Sequence, residues 1–119
     1  MVEVVVTDEF KVWFAGLDDK DAASVEFYVG LLEAQGVTLG FPHCSKLTGS
    51  KENLRELRVQ SGGRPLRVSY SFDPRRQSVL LLGGDKTGDD RFYEAFLSES
   101  ERIWRQYLKE QSEGLHEKE

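Results

Sequence analysis

Two alternating runs joined by a pair of glycines constrain this 119-residue chain more than any other feature. Apolar and polar residues alternate through Leu57-Arg58-Val59-Gln60 and again through Leu66-Arg67-Val68-Ser69-Tyr70-Ser71-Phe72, with Ser61-Gly62-Gly63-Arg64 between them. A period of two is the mark of extended backbone, whose side chains point to opposite faces in turn, and glycine is the residue a tight hairpin turn prefers. The runs therefore predict two antiparallel strands, Leu54–Gln60 and Pro65–Phe72. With Gln60 opposite Pro65, Arg58 falls opposite Arg67 and Glu56 opposite Ser69. Leu57, Val59, Leu66, Val68, Tyr70 and Phe72 share the other face, expected to meet helices, while the arginine face is expected to be open to solvent. Like charges directly opposed on a sheet cost about 0.2 to 1 kcal/mol. A sheet that needed only solubility would more easily have set Glu opposite Arg, so the pair points to an anionic ligand.

The rest of the chain supplies layers for that hairpin. Val2, Val4 and Val6 read as a short first strand. Thr7 and Asp8 cap a helix to about Leu17, with Phe10, Trp13, Phe14 and Leu17 on one stripe. Asp18 or Asp19 starts a second helix, whose apolar face is Ala22, Val25, Phe27, Tyr28, Val29, Leu31 and Leu32 and whose C-cap is Gly36. So short a connection predicts an antiparallel hairpin of helices. Residues 37–53, with Gly40, Pro42 and Gly49, read as a loop or short broken helix. Asp73-Pro74-Arg75-Arg76 turns the chain into an apolar strand, Ser78–Leu82, expected at the centre of the sheet. After the loop from Gly83 to Asp90, a third helix from about Arg91 to Gln111 docks through Phe92, Phe96, Ile103, Trp104 and Tyr107. Residues 112–119 offer little to bury and are expected to fray as an acidic tail. The expectation is one α+β domain over residues 1–111, in which a small, twisted, mainly antiparallel sheet packs against a helical hairpin and a C-terminal helix in the order β-α-α-β-β-β-α.

Composition narrows the functional classes. Hydrophobic residues make up 39% and charged residues 31%, values of a globular chain. No apolar run reaches the length needed to cross a bilayer, and acidic Glu3 stands two residues after Met1 with no basic stretch ahead of an apolar one, so the cytoplasm is the expected location. Cys44 is the single cysteine, and His43 and His116 lie far apart, which gives no basis for a disulfide, a metal centre or another cofactor. The net charge of −5 is unevenly spread. Residues 1–40 carry 2 basic and 8 acidic side chains, residues 41–91 carry 10 and 6, and residues 92–119 carry 4 and 7. The central stretch is thus a local positive field able to attract phosphate.

The segments Leu54-Arg55-Glu56-Leu57-Arg58 and Arg67-Val68-Ser69-Tyr70, followed by an apolar strand ending at Asp85-Lys86-Thr87, occur in an order and spacing that resembles the RelE/HigB-like toxins of bacterial toxin–antitoxin pairs. It looks more like the phage-related HigB-type branch, over roughly residues 10–108. That resemblance implies a RelE/ParE-like fold and a metal-independent endoribonuclease that cleaves mRNA on the ribosome. It also implies a cognate antitoxin with a helix-turn-helix domain, through which alone the pair reaches operator DNA, and no membrane partner. By the same resemblance, Arg58, Arg67 and Lys86 line an RNA cleft. An arginine can grip a phosphate with two hydrogen bonds and stabilise the charge that grows as a 2′-hydroxyl attacks. Glu56, Asp90 and Tyr93 are the candidate proton acceptor and donor. Tyr93 has packing in the third helix as its alternative role, and Glu56 the neutralising of Arg55 or Arg58. Lys46, Lys51, Arg55, Arg64 and Arg91 are expected to extend the RNA-binding surface. Two other readings stay open: a gyrase-directed, ParE-like toxin without chemistry, and an inactive phage remnant that binds only its antitoxin.

Overall fold

Gly62 and Gly63 adopt φ of 57° and 80°, the left-handed backbone that a two-residue hairpin turn requires at both central positions. They join β3 (Arg55–Ser61) to β4 (Arg64–Phe72). The register is the one expected, with Glu56 opposite Ser69, Arg58 opposite Arg67 and Gln60 opposite Pro65. The computed structural model describes residues 1–117, with side chains to residue 114. The remaining elements are β1 (Val4–Val6), α1 (Asp8–Ala15), α2 (Asp19–Gln35), a 3-10 turn (Gly36–Thr38), β2 (Cys44–Lys46), β5 (Ser78–Asp85) and α3 (Phe92–Glu117).

The architecture is α+β, a twisted five-stranded sheet in the order β1-β5-β4-β3-β2. Its pairs are antiparallel except β1 with β5, which run parallel. Two expectations about the strands need correction. Residues 37–53 contain β2, whose three residues pair with Leu57, Glu56 and Arg55, and the central strand is β4, with β5 one place toward the β1 edge.

The helices begin where the sequence places them. The Thr7 side chain accepts from the Phe10 N–H and the Asp18 side chain from the Asp21 N–H, each satisfying a backbone donor left free in a first helical turn. The expected helical hairpin is looser than foreseen, since α1 rests on β5 and α2 on β3. Both cover one face of the sheet, where Phe10, Val25 and Leu32 meet Leu57, Val59, Leu66, Val68, Tyr70 and Leu80. Phe27, assigned to the apolar face of α2, is 63% exposed.

The opposite face is covered too. Phe92, Phe96, Ile103 and Trp104 of α3 pack on Leu47, Leu54, Val79 and Leu81, each large apolar side chain so buried contributing about 1.5 to 3 kcal/mol. Adjacent glycines in β5 admit the two layers. A Cβ on Gly83 would strike the Trp13 ring of α1, and one on Gly84 would come within 2.7 Å of Phe92. The sheet is therefore sandwiched, and the arginine face expected to be open lies partly under α3. That helix also runs on to Glu117, past the end expected at Gln111. Of the expected frayed tail, Lys118 and Glu119 lie outside the described residues. No described helix is long and apolar enough to cross a membrane.

Candidate functional site

The two-residue period sends Glu56 and Arg58 of β3, and Arg67 and Ser69 of β4, to the face that α3 crosses. Where α3 begins, Tyr93 in its first turn lies over this face. Its hydroxyl donates to Glu56 Oε1 at 2.5 Å, and Arg67 Nε lies 3.1 Å from the same carboxylate oxygen. Arg67 Nε also donates to the Tyr93 oxygen at 3.3 Å, and its Nη1 donates to the Leu66 carbonyl at 3.1 Å. Arg67 and Glu56 are each only 3% exposed.

The expectation of a solvent-facing Arg67 is thus corrected: the alternation is as read, but α3 roofs the face. Burial, followed by the hydrogen bond to Glu56, raises the Tyr93 pKa above its ordinary value, so the phenol is protonated at neutral pH. Lys86 follows directly after β5, its N–H held by the Pro65 carbonyl at 3.0 Å. Its ammonium lies 5.4 Å from the centre of the Tyr93 ring, within cation–π range.

Arg58 is half-buried and turns toward the edge of β3 beyond the end of β2. There the segment Phe41-Pro42-His43 passes alongside, anchored by the Arg58 N–H donating to the His43 carbonyl at 2.8 Å. The Arg58 guanidinium sits 5.5 Å from the centre of the Phe41 ring. A cavity of about 270 Å³ opens at this edge, lined by Tyr28, Phe41, Pro42, His43, Arg58, Gln60 and Arg67. Arg67 thus touches both the carboxylate and phenol on one side and the cavity on the other.

Glu56, Arg67, Tyr93 and Lys86 form one contiguous group, with Arg58 joined to it through the cavity wall. Asp90 is exposed in the turn before α3 and, among the described residues, takes no part in the network. Arg91 is exposed beside it. Arg64 is committed elsewhere, bonded to buried Asp21, which also accepts from Ser61 Oγ at 2.7 Å, and to Asp85 at 2.8 Å. Arg55 lies on the other face of the sheet, its guanidinium 3.5 Å from Cys44 Sγ. Lys46 is its exposed cross-strand neighbour, and Lys51 is exposed in the loop before β3. Reading the sequence missed Tyr28, Phe41, His43 and Gln60 at the cavity. Gln60 could have been found, because the alternation that places Arg58 puts it on the same face, whereas Tyr28, Phe41 and His43 reach the cavity only through α2 and the segment ahead of β2 and carry no local signal.

A protein-family profile described as "Phage derived protein Gp49-like (DUF891)" matches residues 12–105. A Mycobacterium tuberculosis protein described as "Putative toxin HigB3" is 41% identical over 93 residues, covering 76% of this chain and 80% of the relative. A second protein of that organism, "Putative toxin HigB2", is 31% identical over 104 residues. The alignment takes in 85% of this chain but 52% of that relative, so the chain spans about half of its length. No solved structure matches at comparable stringency.

Proposed function

Because the chain belongs to the Gp49-like family and is a HigB-type toxin of the RelE/ParE superfamily, one half of a toxin–antitoxin pair, we propose that it is a metal-independent endoribonuclease acting on mRNA at the ribosome in the cytoplasm. Its antitoxin, carrying a helix-turn-helix domain, holds it inactive and takes the pair to operator DNA. The carrying observation is that an arginine, a lysine, a carboxylate and a phenol gather at one end of the sheet, where Tyr93 joins Glu56 at 2.5 Å and Lys86 stands over its ring.

In this reading Arg58 and Lys86 hold the scissile phosphate. The 2′-oxygen attacks phosphorus, the bond to the 5′-oxygen breaks, and a 2′,3′-cyclic phosphate and a 5′-hydroxyl result. Glu56 is too buried to meet the substrate directly, so the proton of the 2′-hydroxyl passes to the Tyr93 oxygen as Tyr93 gives its own to Glu56. The Lys86 ammonium protonates the departing 5′-oxygen, and exchange with water restores both groups. Arg67 acts as a positioning residue, holding Glu56 and Tyr93 in register.

The test is growth arrest on induction together with cleavage of an mRNA set on purified ribosomes, for wild type, Arg58→Ala and Lys86→Ala. Removing a phosphate contact that strengthens in the transition state costs about 2 to 4 kcal/mol, so each variant should cut roughly 30- to 1000-fold more slowly while folding normally. Undiminished cutting by both folded variants would displace the cleft. The neutralising of Arg67 by Glu56 favours a second reading, a binding toxin directed at gyrase or only at its antitoxin, and a wild type that stalls gyrase without cutting RNA would establish it.

A further inference from the structure

The cavity at the β3 edge contains groups that phosphate chemistry leaves idle. Phe41 is 77% exposed although it is a large aromatic, and the Arg58 guanidinium lies 5.5 Å from the centre of its ring. Beside it stand two more flat side chains, Tyr28 and His43, with ring centres 6.1 Å apart. The Gln60 carboxamide, in an exposed residue at the end of β3, adds one donor group and one acceptor to the lining. Among the described residues the lining contains no carboxylate, and of its two arginines Arg67 is paired with Glu56, which leaves Arg58 as the cation able to meet a phosphate. A protein side chain would need only the apolar part of this set. A stacking surface, an amide able to read a ring edge and the flanking Arg58 guanidinium together match an unpaired base attached to a phosphate.

We propose that Tyr28, Phe41, His43 and Gln60 form a nucleobase subsite, in which one unstacked base of single-stranded RNA lies against Phe41 while its phosphate meets Arg58. The proposal rests on the endoribonuclease reading for its place in the cleft, and it makes the Phe41–His43 segment the determinant of which nucleotide is presented to Glu56 and Tyr93.

The probe is a fluorescein-labelled hexa-adenylate, compared with an abasic oligomer of the same length and charge, in fluorescence anisotropy with the full chain. A stacked base is worth about 1 to 3 kcal/mol, so Phe41→Ala should weaken hexa-adenylate binding about 5- to 150-fold. Phe41→Trp should restore it, Gln60→Ala should narrow the preference for hexa-adenylate over the abasic oligomer, and circular dichroism should show each variant folded. Equal binding of the abasic oligomer, an unchanged Phe41→Ala, or no binding of hexa-adenylate by wild type would each overturn the subsite. So would burial of Phe41 by the purified antitoxin with no effect of RNA, which would assign the cavity to a protein. Ribosome-dependent cleavage separates the two readings. Cleavage with an unchanged Phe41→Ala removes the subsite alone, whereas base-dependent binding without cleavage removes the nuclease and keeps the subsite.

Discussion

Replacing Arg67 with Ala tests whether its charge serves the fold before it serves any ligand. The side chain is 3% exposed and lies 3.1 Å from Glu56, itself 3% exposed. Alanine would leave a buried carboxylate with the Tyr93 hydroxyl but without its cation. Removing one partner of a buried ion pair costs about 3 to 5 kcal/mol, a large part of the 5 to 15 kcal/mol that typically holds a domain together. For a chain of this size that is roughly 10 to 25 °C in melting temperature. Urea and thermal unfolding should be followed for Arg67→Ala, Glu56→Ala and the double variant. The double variant should be less destabilised than the sum of the two singles, because the second change removes the charge the first left stranded. A loss under about 1 kcal/mol for Arg67→Ala, within the range of exposed pairs, or strictly additive singles, would show that the pair is not buried as described. The outcome decides how toxicity assays are read, because loss of growth arrest in Arg67→Ala would follow from unfolding as readily as from lost chemistry.

Two further outcomes are expected. Burial, and then its hydrogen bond to Asp73, push the Tyr107 phenol up to about 12; between the ordinary tyrosine value near 10 and that value the unfolded chain has already lost this proton and the folded chain has not, so stability falls as pH rises. Urea unfolding of Tyr107→Phe at pH 9 to 11 should show a shallower decline than wild type, and an identical slope would place that titration elsewhere. Truncation after Gln111, which still donates to Asp73 at 3.0 Å, should leave the melting temperature within a few degrees of the full chain, whereas a larger fall would show that residues beyond it dock.

How much of this was legible before the structure depends on which residues carry a local signal. The β3–β4 register could be read because alternating runs flank the Gly62-Gly63 turn closely on both sides, and a slip of one residue would have turned Leu57 and Val68 toward the wrong face. β2 could not be read: Cys44-Ser45-Lys46 is too short to show a period and stands among Gly40, Pro42 and Gly49. It exists because β3 had an edge to offer. The apolar stripe of α3 was plain, but a stripe states that a helix docks without stating on which face, and from that omission Arg67 was expected in solvent. The site was accordingly half visible. Arg58, Arg67, Lys86, Glu56 and Tyr93 were all named, yet the direction of Arg67 and the contribution of Phe41 depend on contacts between segments far apart in the chain.

The parallel pairing of β1 with β5 bears on when the fold can close as the chain is made. Val4–Val6 leaves the ribosome well before its partner Ser78–Leu80, which follows 74 residues later, as Leu81 follows Thr7, whose hydroxyl donates to the Leu81 carbonyl. Contacts so distant form late, because the intervening chain must first be closed into a loop. Until Gly83 arrives, Trp13 has no groove to settle in, and until α3 follows, Tyr93 cannot reach Glu56. A chain that has not yet reached α3 therefore lacks one whole layer of the sandwich, and the sheet face that bears Glu56 and Arg67 stays uncovered until that helix is made.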